Sequence, residues 1–194
     1  MNRDSIQKIE AIVREACAKE TNIFGYGIWT HHITHVMKNG KLLAPSFGAN
    51  TEIVVLAALL HDYASVKDKA LYEDHHIHGP REAENVLKQH GYTRDVIEAV
   101  KHAIETHRGS VPQERKSAEA ECLASADALS HIENVPSLLH LAFVQHRMGI
   151  DEGTTWVRNK LERSWKKLHP RVQEIIREQY KSALQTLPEM KHLS

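Results

Sequence analysis

Cysteine is scarce in this 194-residue chain, with Cys17 and Cys122 its two thiols. They are too few and too far apart for a disulfide framework or a thiolate zinc site. No run of eighteen apolar residues occurs, which excludes an ordinary membrane-spanning helix. The opening Met1-Asn2-Arg3-Asp4 leads into an amphipathic stretch rather than a signal peptide, so a cytoplasmic location is expected. Charge of one sign is also missing: 25 Lys+Arg stand against 25 Asp+Glu, a formal charge of zero. That balance gives no support to a general nucleic-acid binder or a polybasic membrane ligand. Internal repeats, low-complexity tracts and alternating strand patterns are absent as well.

What the chain does have is histidine, 15 residues against 9 glycines. Histidine is the commonest protein metal ligand and a frequent acid–base group, so the question is which of them converge. At 41% hydrophobic and 26% charged, the composition is that of a folded chain. The length favours one domain over residues 1–194, an all-α bundle of about eight to nine helices. The first helix is expected over about Ser5–Glu20 with Asp4 as its cap. A second starts at the Thr30 cap, and Pro45–Asn50 breaks the chain after it. Thr51 to about Ala64 reads as a central helix, because Ile53 to Leu60 is unbroken apolar sequence.

Pro80 in a first turn and Gly91 after the last bracket a fourth helix. Thr93 caps a fifth that runs to His107, and a polar loop with Gly109 and Pro112 leads to a sixth over about Ala118–Glu133. Pro136–Met148, Thr154–Leu168 and Pro170–Leu187 complete the bundle.

Several polar residues interrupt or prolong core-facing stripes. His32 precedes Val36 by four, His61-Asp62 ends the most apolar helix, His107 extends the Val100–Ile104 stripe, and Asp127 extends that of Leu123. Buried without partners, such groups cost about 2 to 7 kcal/mol each. A set of imidazoles and carboxylates without thiolate suits a divalent ion: Mn, Fe, Co, Ni, Zn or Mg. Neighbours on a helix diverge by about 100°, so His61 and Asp62 cannot point the same way, but they can converge on an ion lying between their directions, and a carboxylate can also bridge two ions. Arg108, Lys67 and Arg81 are candidate phosphate contacts, since Arg forks onto phosphate oxygens and Lys supplies a point charge.

In order and context these residues resemble the HD superfamily of metal-dependent phosphohydrolases. The matching segments are His32-Ile33-Thr34-His35-Val36, Ala57-Ala58-Leu59-Leu60-His61-Asp62 and Ala124-Ser125-Ala126-Asp127-Ala128-Leu129, within a motif-bearing core of about 28–134 on which 135–194 packs. The resemblance implies His32, His61, Asp62 and Asp127 as metal ligands. It further implies His76 and His107 as holders of a second ion in some branches, with His75 and His78 competing for the place of His76. It implies one or two divalent ions and hydrolysis of a nucleotide or other small phosphorylated molecule by a metal-activated water, with Asp62 in the catalytic centre. Several nucleotidase members carry Glu three residues after the HD pair; Ser65 stands there, which leaves Asp68 as the nearby candidate base. Two other readings keep the fold: a di-iron oxygenase of the same superfamily acting on a small organic substrate, and a metal-stabilised nucleotide-binding module without turnover. No residue pattern sets an oligomeric state.

Overall fold

The computed structural model describes residues 3–72, 74–108 and 114–187, except the side chains of His75 and His76. The loop residues Gly109 and Pro112 therefore lie outside the described residues, as does the ligand position expected of His76. The elements are α1 (Arg3–Cys17), a π-helical turn (Trp29–Ile33) running into α2 (Thr34–Phe47), α3 (Thr51–Leu60), α4 (Tyr63–Lys67) and a 3-10 turn (Lys69–Leu71). There follow α5 (His75–Gln89), α6 (Arg94–Thr106), α7 (Ala118–Glu133), α8 (Val135–His140) with a second π turn (Leu141–Gln145), α9 (Ile150–Lys167) and α10 (Pro170–Gln185). No strand occurs among the described residues. None of the described helices is long and apolar enough to cross a membrane.

Two helices form the axis of the bundle. The side chains of α3 from Val54 to Leu60 are wholly buried, as an all-apolar helix requires. It starts where Asn50 accepts hydrogen bonds from the backbone N–H of Glu52 (2.9 Å) and Ile53 (3.4 Å). Beside it lies α7, started by Ser117 Oγ accepting from Ala120 N–H at 3.2 Å and buried throughout from Cys122 to Ile132. Its small residues let α2 lie close, and α6 and α9 cover its other sides. Both cysteines are buried in this packing, which pushes each thiol up to about 12.

The approach of α2 is tightest at Gly40, where an added Cβ would lie 2.8 Å from Val54 Cγ1 and 3.9 Å from Ala126 Cβ. Val54 is wholly buried and cannot swing away. Gly40→Ala is therefore expected to cost about 1–3 kcal/mol by overpacking. Thermal unfolding checks this, with roughly 2–4 °C lost per kcal/mol for a chain of this size.

The structure moves several of the expected boundaries: the first helix spans Arg3–Cys17 with Asp4 inside it, and four further shifts have a local reason. α2 passes through Pro45 and ends at Gly48, whose φ of 67° only glycine adopts freely. Pro45 is tolerated because it lies on the exposed side together with Lys41, whose carbonyl it leaves for water. α5 begins at His75, with the Asp74 carbonyl accepting from Ile77 and His78 N–H, so Pro80 falls in its second turn rather than its first. α9 begins at Ile150, before Thr154. Finally, α3 stops at Leu60 and does not reach Ala64: the chain turns at His61-Asp62 and resumes as α4.

Candidate metal centre

The turn at His61-Asp62 removes the divergence that a continuous helix would impose on adjacent side chains. Asp62 takes φ −105° and ψ 3°, in the sparsely populated bridge region where many active-site residues sit. In that conformation Asp62 Oδ2 comes back to 3.2 Å from its neighbour His61 Nε2, and lies 3.3 Å from His32 Nε2. His32 itself rides on the π turn before α2, pinned to the far side of the bundle by Asn134 Nδ2 donating to the His31 carbonyl at 2.7 Å. From α7, Asp127 Oδ1 reaches to 3.4 Å from His32 Nε2 and 4.0 Å from His61 Nε2. Ligand atoms of His32, His61 and Asp127 all lie within 4.8 Å of one another. Three segments far apart in the chain thus bring two imidazoles and two carboxylates together.

The second contacts of these rings fix how they face the centre. His61 Nδ1 donates to the Ala58 carbonyl at 2.9 Å. Ser130 Oγ gives its single proton to the Asp127 carbonyl at 2.7 Å, so at 3.2 Å it accepts from His32 Nδ1–H. Both rings therefore carry their neutral-state proton on Nδ1, and their Nε2 lone pairs face each other across 3.1 Å. Lone pairs at that distance repel unless a cation or a proton stands between them. Two imidazole nitrogens with carboxylate oxygens around them fit a divalent metal ion. Burial alone would lower the pKa of His61, but the charge of Asp62, then that of Asp127, raises it to about 9. The centre is built to hold positive charge.

Asp127 is fully enclosed, and burial would push its carboxyl up. The Lys167 ammonium, followed by His131, His32 and His61, holds it well below the usual carboxylate range instead. Lys167 Nζ donates to Asp127 Oδ2 and is itself buried. On the other carboxylate oxygen, His131 Nε2 lies 3.6 Å from Oδ1, while the His131 ring stacks on His32 with centroids 5.1 Å apart. Burial, reinforced by Lys160, pushes the pKa of His131 well down.

A cavity of about 1130 Å³ opens onto this cluster. Among the described residues its acidic lining is Asp62 and Asp127, against the cations Arg108, Lys160, Arg163 and Lys167. Phe24, Leu138, Met148 and Trp156 give it apolar surface. Burial, with the nearby charges of Lys167 and Arg163, lowers the pKa of Lys160 despite the opposing pull of Asp127 and Asp62.

Other residues singled out in the sequence stand at various distances from this centre. His107 is buried against His61, ring centroids 5.3 Å apart, with Nδ1 donating to the Ile104 carbonyl, and it lines the cavity outside the mutual cluster. Arg108 lines the cavity. Lys67 and Arg81 do not: Lys67 lies exposed in an ion pair with Glu82 at 2.8 Å, and Arg81 is on the outer face of α5. Asp68, the candidate base, is likewise outside the lining; its Oδ1 accepts from Ala70 N–H at 2.9 Å and starts the 3-10 turn.

Sequence reasoning passed over His131, Lys160, Arg163 and Lys167. The available signals were positional: His131 follows Asp127 by four, and 160, 163, 164 and 167 share one face of α9.

Ser65 lines the cavity one turn beyond Asp62, and its buried Oγ has no hydrogen-bond partner among the described residues. An unsatisfied hydroxyl is destabilising, so Ser65→Ala is expected to raise stability by about 1 kcal/mol. Urea unfolding of the metal-free protein measures it; a loss of stability would mean that the hydroxyl is bonded after all.

A family model described as HD domain matches residues 29–132. Over 109 residues the chain is 37% identical to Ribonuclease Y of Symbiobacterium thermophilum, a match spanning 55% of this chain and 19% of that protein. Among solved structures, a predicted HD superfamily hydrolase from an uncultured Thermotogales bacterium superposes with a TM-score of 0.54 at 23% identity, covering 89% of this chain and 91% of the other. That likeness is one of fold.

Proposed function

The chain belongs to the HD domain family, and from that premise we propose that it is a metal-dependent phosphohydrolase acting on a nucleotide or another small phosphorylated molecule. The observation that carries this reading is the convergence of His32, His61, Asp62 and Asp127 at the floor of a cavity richer in cations than in carboxylates. These four residues hold the ion, and His107 with His76 are the proposed holders of a second. A divalent cation bound there polarises a phosphoryl oxygen and makes water a nucleophile near neutral pH.

The protein's own groups do the positioning. Ser130 and the Ala58 carbonyl keep the Nε2 atoms of His32 and His61 unprotonated toward the centre. Lys167 occupies one oxygen of Asp127 and leaves the other facing the imidazoles. Arg108 at the rim offsets phosphate charge. The relative named as a ribonuclease supports phosphoester chemistry, and the cavity's enclosed apolar walls favour a small substrate over a polymer.

The test is turnover by metal-stripped protein reloaded in turn with Mn, Fe, Co, Ni, Zn and Mg. p-Nitrophenyl phosphate and its bis-ester serve as mono- and diester probes, with oxygen uptake followed in parallel. Hydrolysis of either ester that depends on added metal and not on oxygen is expected. No hydrolysis with any ion, or turnover that consumes oxygen, overturns the reading.

A further inference from the structure

Two cations on one wall of the cavity have no direct partner among the described residues. Lys160 and Arg163 line it from α9, and neither makes an ion pair or a hydrogen bond among the described residues. Lys167, on the same face of the helix, is different: it is bound to Asp127. Lys160 precedes Lys167 by seven residues, two turns and about 10 Å along the helix axis. The two lysines thus leave α9 two turns apart. Both carboxylates lining the cavity among the described residues belong to the cluster, and neither makes a direct contact with Lys160 or Arg163. One turn further from the cluster the same face presents Trp156, with Met148 and Leu138 also in the lining. The cavity is thus graded, from ligand cluster to unpaired cations to apolar surface.

Lys160 is part-buried beside the exposed Arg163 with no direct partner, and an anion that joins the two offsets the cost of burying the ammonium. We propose that Lys160 and Arg163 form a second anion subsite, so that the preferred ligand is a small molecule with two separated phosphate groups, one at the cluster and one on α9. The inference rests on the phosphohydrolase reading for the role of the first phosphate, and on the geometry of α9 for the second.

Calorimetric titration of the Mn-loaded protein with fructose bisphosphate and with fructose monophosphate tests it. The bisphosphate is expected to bind about 10-fold tighter or more, the effect of one additional charge-assisted contact. In the Lys160→Gln/Arg163→Gln double variant, shown folded by circular dichroism, the ratio is expected to fall below about 2-fold. Lys160→Arg is expected to keep it. Equal affinities for the two sugars in the unaltered protein, or a preference that survives the double substitution, overturn the subsite. Hydrolysis of p-nitrophenyl phosphate by the unaltered protein separates the two ideas. Turnover without a bisphosphate preference removes the subsite alone. A preference that depends on Lys160 and Arg163, without turnover of any ester, leaves the subsite and removes the hydrolase reading.

Discussion

Asp62→Ala is expected to lose bound divalent metal and ester hydrolysis together, with turnover down by roughly 10³-fold or more, since a metal-ion contribution of about 4 kcal/mol to the transition state corresponds to that factor. The fold should survive, because the Asp62 side chain sits at a turn and is 18% exposed. Its removal also takes away the leading charge that holds the His61 pKa up, leaving an enclosed imidazole with less reason to carry a cation of any kind. Elemental analysis of the metal content, circular dichroism and the p-nitrophenyl phosphate assay together decide the outcome. A variant that keeps full activity, or that keeps its metal while losing activity, would show that Asp62 is no ligand.

Asp127→Ala should act on stability as well as on the metal. Lys167 lies buried with its ammonium against this carboxylate, and removing one partner of such a pair costs about 3–5 kcal/mol because the other charge is left dehydrated and alone. Lys167→Met reverses the situation and leaves the carboxylate with only imidazoles around it. The double variant Asp127→Ala/Lys167→Met removes both charges and fills part of the space, so its loss should fall well below the sum of the two single losses. Urea unfolding of the four metal-free proteins closes the cycle. Strict additivity, or a loss for Asp127→Ala below about 1 kcal/mol, would mean that the pair is not the buried contact described.

The helical architecture was legible wherever a periodic stripe ran between clear end signals. The helix expected over about Ala118–Glu133 is the plainest case, and the start of the central helix at Thr51 after the Pro45–Asn50 break is another. Boundaries failed where tertiary packing overrode a local rule: α2 continues through Pro45 because the freed carbonyl is on the wet side, and α5 starts before Pro80. The HD pair shows the same limit in sharper form. Helical spacing alone separates His61 from Asp62, and what brings them together is a chain turn that no composition signal marks. His32, His61, Asp62 and Asp127 could be proposed because each interrupts an apolar stripe.

Lys160 and Lys167 could not be read that way. They lie beside the packing stripe of Val157 and Leu161 and read as ordinary surface charge until the cavity is seen. Lys67 and Asp68 show the converse, since nearness in sequence to the pair did not bring them to the cavity.

Part of the cavity lining lies inside the family-matching stretch of chain and part outside it. The ligand cluster lies within residues 29–132, the part that matches the family, whereas Lys160, Arg163 and Lys167 belong to α9, outside it. Lys167 bridges the two through Asp127, and Ser164 does so through His131 at 3.0 Å. Substitutions at 156, 160 or 163 can accordingly alter which molecules are accepted while the ion-holding residues stay untouched. Divergence among relatives of this chain should then be concentrated on one helical face, with the bond-breaking apparatus inherited whole and selectivity rewritten a turn at a time.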